Sequence, residues 1–136
     1  MPLIKAVQMV NATEAIVKVS GNSVTPMSID IAADLLATGQ TVSGTPVVNI
    51  LGFQWAGEPG AIYKIDRNNV RVASLLADNG NFMDFIELFP SENTQNTSNV
   101  SVTIVNSAGT AVQGEVWIRF RKVSGFVTPG YSSGAV

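Results

Sequence analysis

The residue types that most often do chemistry are the ones this chain lacks. Histidine and cysteine are both absent from the 136 residues. That removes the commonest general base, the commonest metal ligand, thiolate nucleophiles and disulfides together. A hydrolase would have to use serine with lysine, or two carboxylates. Lys5, Lys18, Lys64 and Lys122 all sit in strand-like alternations, where exposure to solvent is the expectation. Asp30 and Asp34 share the polar face of one segment, and Asp84 and Glu87 lie close together in another. Cleaving a glycoside with such a pair needs a sugar cleft and one carboxyl of raised pKa, and the sequence indicates neither. Asp78-Asn79-Gly80-Asn81 with Asp84 faintly resembles an oxygen-rich calcium loop, but glycine takes a ligand position and no glutamate closes the loop. A hairpin turn is the better reading. The sequence therefore predicts a non-enzymatic chain with no metal and no cofactor.

Binding residues are easier to find. Trp117 alternates with Arg119 and Arg121, and Trp and Arg are enriched at interfaces. The alternative is cation–π stacking on a solvent face. Phe53 and Trp55 share the alternation of Val47 and Leu51, so core packing accounts for them. Asn11-Ala12-Thr13, Asn96-Thr97-Ser98 and Asn99-Val100-Ser101 match the glycosylation pattern by chance in an Asn-, Ser- and Thr-rich chain.

Charge narrows the partners. The net charge is −2 and the eight basic residues are dispersed, which argues against nucleic acid. No apolar run approaches the ~20 residues that span a bilayer, and no targeting segment is evident. Charged residues make up only 13%, against about 25% in ordinary domains. Residues 35–57, 93–114 and 123–136 carry no charged side chain. Depletion of this kind suits surfaces that face other subunits, and equally a sandwich with Ser-, Thr- and Asn-rich loops.

The elements that would position these residues follow from a period of two. Ile29, Ile31, Ala33 and Leu35 fall on one face of a segment, with a short helix over 31–38 as the alternative. Val100, Val102 and Ile104 alternate with Ser101, Thr103 and Val105, and Val116, Ile118 and Phe120 oppose Trp117, Arg119 and Arg121. Turn residues separate the runs, and Asn68-Asn69 suits a tight hairpin. The pattern predicts eight or nine strands, near residues 3–10, 14–20, 27–35, 46–55, 61–67, 70–76, 82–89, 99–106 and 113–123. Residues 91–99 read as a polar surface connection without a buried anchor. The expected fold is all-β, one antiparallel sandwich or barrel over 1–123, about the size that can bury roughly two-thirds of its unfolded surface. Residues 124–136 lack periodicity and form the expected C-terminal arm, with Phe126, Val127 and Tyr131 as apolar anchors.

Three segments carry a family resemblance: Leu3–Ala12 leading into Glu14–Val19, Pro46–Gly57 followed by Ile62–Arg67, and Val116–Phe126. Together they resemble small virion structural proteins of tailed bacteriophages, particularly those of marine and cyanobacterial hosts. The shared features are hydrophobics, glycines and one Trp-x-Gly, with no catalytic signature to transfer. The resemblance implies a β-sandwich piece of the particle, located in a virion assembled in the host cytoplasm. A capsid decoration or cement protein is the leading expectation, partnered by the major capsid protein or other virion proteins and present as a homo-oligomer. In that role Phe126, Val127 and Tyr131 would dock as an arm, and Trp117, Arg119 and Arg121 would meet an acidic patch. The alternatives are a neck, tail, baseplate or fibre component, or a receptor- or carbohydrate-binding module using loops 56–61 and 78–82.

Overall fold

Alternating apolar residues become strands when a second sheet covers one face, and this chain supplies both sheets itself. The structure, a computed structural model, describes residues 2–78, 82–84 and 96–128. Among these described residues nine strands run in chain order: β1 Ile4–Val10, β2 Glu14–Gly21, β3 Met27–Ile29, β4 Thr41–Gly57, β5 Ile62–Arg67, β6 Val70–Leu76, β7 Phe82–Asp84, β8 Val100–Val105 and β9 Gly114–Val127. They form a five-stranded sheet, β1-β2-β9-β4-β7, and a four-stranded sheet, β3-β8-β5-β6. Every pairing is antiparallel. The two sheets pack face to face, so the fold is an all-β sandwich.

The inner faces are those the alternation predicts on several strands. Val100, Val102 and Ile104 of β8 and Val116, Ile118 and Phe120 of β9 are fully buried. Asn68 and Asn69 hold positive φ values of 51° and 61°, giving the tight β5–β6 hairpin. At the end of the central pair, Gly57 lies opposite Gly114. A Cβ on either glycine would collide with the hydroxyl of Tyr63. That hydroxyl donates to the Ala56 carbonyl, and burial raises its pKa. The glycine of the Trp-x-Gly feature thus makes room for a buried phenol.

Other expectations are corrected. The segment 27–35 is not one strand. β3 stops at Ile29, and residues 31–35 make a single helical turn in which the Asp34 N–H donates to the Asp30 carbonyl at 2.7 Å. Ile31 and Leu35 are buried, four residues apart, while Ala33 is exposed. Asp34 caps this turn by accepting from the Asp30 N–H and pairs with Lys5 at 2.6 Å. In β4, Val48 and Ile50 face the core, but so do Phe53 and Trp55. Leu51 causes the change of parity, because the register with β9 slips between Ile50 and Gly52. Leu51 is the extra residue of a β-bulge, lies outside the core cluster, and does not share the face of Phe53 and Trp55.

The sandwich also extends beyond residue 123. β9 continues to Val127, and Phe126 is fully buried in the core. Phe126 is therefore a core residue and not an arm anchor, and 124–127 belong to the sheet. Lys122 is the second surprise. It occupies an inward position between Phe120 and Phe126 and is only 2% exposed. Its ammonium donates to the Asn11 carbonyl at 2.8 Å and to Gln40 Oε1 at 2.5 Å, and lies 5.3 Å from the Phe126 ring centroid. Gln40 in turn donates to the Ala12 carbonyl and to Thr128 Oγ1, both at 3.0 Å. The connection before β8 is anchored at its end. Arg67, fully buried, donates to Val48 and Ser98 carbonyls, and the Val48 N–H donates to the Asn96 carbonyl at 2.9 Å.

Two outcomes test this packing. Deleting Leu51 places Phe53 and Trp55 on the outer face and is expected to abolish cooperative urea unfolding, whereas Leu51→Ala, which keeps the bulge, stays cooperative. Burial without a carboxylate partner pushes the Lys122 ammonium down to about 8 from its ordinary 10.5. The unfolded chain then binds more protons above pH 8, so stability should rise from there toward pH 10.5. Chemical denaturation between pH 7 and about 9.5 should show a gain of roughly 1–2 kcal/mol, and Lys122→Met should remove it.

Candidate functional site

Opposite parity on β9 sends Trp117, Arg119 and Arg121 to the outside of the five-stranded sheet, as the alternation predicts. The structure brings Trp117 and Arg119 to one groove. Trp117 is half-buried, flanked across the ladders by Lys18 of β2 and Gln54 of β4. The Lys18 ammonium lies 5.4 Å from the indole centroid and 3.4 Å from Glu115. It stands over the ring at cation–π distance. Arg119 is paired with Glu14, Nη2 to Oε1 at 2.7 Å and Nε to Oε1 at 2.8 Å. Arg121 follows one row further, opposite Glu14 and Asn49. The Arg119 charge is thus paired within the chain by Glu14.

The groove has a volume of about 370 Å³. Met9, Ile16, Leu51, Phe82 and Trp117 supply its apolar lining, and Gln8, Gln54 and Arg119 its polar points. Phe82 of β7 stands opposite Gln54 and is 66% exposed. Trp117 and Phe82 therefore flank Gln54 from alternate strands. Leu51 reaches the groove because of the bulge that turns Phe53 and Trp55 inward. The groove and the core are thus two consequences of the same inserted residue.

Of the other residues singled out from the sequence, Val127 is half-buried and pairs with Thr41 at the far end of β9. Tyr131 lies outside the described residues, as do Glu87 and residues 79–81 of the calcium-like turn. The loop 56–61 meets Asp78 through the Gly60 N–H, which donates to the Asp78 carboxylate at 3.1 Å. Sequence reasoning missed Met9, Ile16, Leu51 and Phe82, whose convergence depends on register between strands distant in the chain. The available signal was Phe82 itself, an aromatic at the start of a short strand after a turn-rich stretch.

Among the described residues no group of three or more Asp or Glu side chains is placed to hold a metal ion. No family model matches the chain, and neither a curated protein nor a solved structure matches it.

Proposed function

We propose that the chain is a non-catalytic structural subunit of a larger assembly, in closest terms a decoration protein on the capsid of a tailed-bacteriophage virion. The observation that carries this reading is the outward groove around Trp117 and Phe82, set in a chain with only 13% charged residues. A half-buried tryptophan ringed by Ile16, Met9 and Leu51 has the make-up of an interface hot spot. Docking it against the major capsid protein or another virion protein would gain about 25 cal/mol per Å² of apolar area removed from water, offset by the cost of association. Because Lys18 and Arg119 are neutralised by Glu115 and Glu14, the contact is apolar and weakly salt-dependent. Residues 129–136 keep the role of a docking arm in this proposal. The arm cannot start at 124, because Phe126 is part of the core.

Quantitative mass spectrometry of purified particles, scaled to the major shell protein, tests the reading. Hundreds of copies per particle are expected for decoration. A handful would move the chain to neck, tail, baseplate or fibre, and complete absence would exclude a virion role. In a rebinding assay, Trp117→Ala should lower particle occupancy at least about tenfold, the scale of a hot-spot truncation. Its melting temperature should stay within a few degrees, since the indole is outside the core. Phe126→Ala should show the opposite pattern, with a stability loss of about 3–5 kcal/mol.

A further inference from the structure

We propose that the groove between Trp117 and Phe82 receives an uncharged, proline-rich partner segment in the polyproline II conformation. This deepens the docking role assigned to the outer face, and rests on that face being a contact surface rather than on the virion setting. Three observations lead to it.

The first is spacing. Phe82 of β7 and Trp117 of β9 stand on either side of Gln54 of β4 in one cross-strand row. Two strand spacings separate their backbones by about 9.5 Å. A polyproline II helix repeats every three residues, or about 9.3 Å. One turn of that helix therefore matches the backbone spacing of the two aromatic positions.

The second is hydrogen bonding. Polyproline II has no internal hydrogen bonds, so its carbonyls need donors when it docks. The groove supplies them. Among the described residues the indole N–H of Trp117 has no acceptor, and the amides of Gln8 and Gln54 have no side-chain partner. By contrast the indole N–H of buried Trp55 donates to the Leu76 carbonyl at 3.0 Å. Trp117, a residue lining the groove, thus carries a donor with no bond among the described residues.

The third is charge. The cations beside the groove are balanced by Glu115 and Glu14, so a charged ligand would gain little and lose hydration. Aromatic rings with uncharged donors between them fit proline rings and bare carbonyls, the pairing by which proline-rich segments are recognised. The 136 residues contain no Pro-x-x-Pro, and the occupant proposed is a segment of a partner protein.

The test is titration calorimetry of the full chain with acetylated, amidated decaproline. Saturable binding is expected, nearly unchanged between low and high salt, and weakened at least tenfold by Trp117→Ala and by Phe82→Ala. Trp117→Phe, which keeps a ring but removes the N–H, should give an intermediate loss. Both alanine variants should melt like the parent. A Gly/Ser peptide of equal length should not bind. The proposal is overturned if decaproline gives no saturable heat, or if both alanine variants bind it as well as the parent. It is also overturned if cello-oligosaccharides occupy the groove instead, or if sedimentation shows a dimer that Trp117→Ala dissociates. Should decaproline fail while Trp117→Ala still removes the chain from particles, this inference falls and the docking face stands. Decaproline binding with unchanged particle occupancy would support the inference and remove the docking role.

Discussion

The pairing of β4 with β9 is the constraint on which the rest of the molecule depends. It runs from Gly57 opposite Gly114 to Thr41 opposite Val127, and it joins the centre of the five-stranded sheet. β9 keeps a strict alternation from Val116 to Phe120, and β4 must match it with Val48 and Ile50 at one end and Phe53 and Trp55 at the other. Those pairs have opposite parity, so one inserted residue is required. Leu51 is that residue. Its insertion completes the inner face and leaves Leu51, itself only 6% exposed, lining the same groove as Trp117. A core requirement and a candidate contact surface are therefore joined at one backbone irregularity.

Among the described residues two buried cations meet this pairing at Val48, Arg67 at its carbonyl and Lys122 opposite it, and tie it to the rest of the chain. Arg67 binds the Val48 and Ser98 carbonyls, fixing the end of β5 to β4 and to the approach to β8. Lys122 gathers Asn11, Gln40 and Phe126, and Gln40 extends the cluster to Ala12 and Thr128. In both sites carbonyl oxygens supply part of the solvation that water would give. That solvation is incomplete for Lys122, and its ammonium is held below the ordinary lysine pKa. The fold accepts this cost where three separate segments must converge, and few other polar groups in so lightly charged a chain could join them.

Much of the architecture was legible from the sequence because it is local. The period of two identified the inner faces of β8 and β9, and Asn68-Asn69 identified the hairpin. Trp117 was also legible as an outward residue. What escaped was set by contacts between distant segments. Nothing near Leu51 announces a bulge, since the parity mismatch exists only relative to β9. Lys122 reads as exposed until Gln40 and Asn11 close over it. Phe126 reads as an arm anchor because Ser124 and Gly125 interrupt the alternation. Gly125 has φ of 86° and lies against the Thr45 and Pro46 backbone, so the strand bends and continues instead of ending. Ile31 and Leu35 alternate like a strand but are also four apart, and a single helical turn satisfies both spacings. The groove was half legible, since Phe82 and Trp117 meet only through β4.

The proposed docking role places the partner on the outer face of the five-stranded sheet. A cryo-electron-microscopy reconstruction of the assembled particle, at a resolution that shows side chains, tests it most directly. In such a reconstruction Trp117 and Phe82 are expected to be buried against another protein, with the four-stranded sheet turned to solvent. A reconstruction in which that groove faces open solvent and the contact is made elsewhere would contradict it.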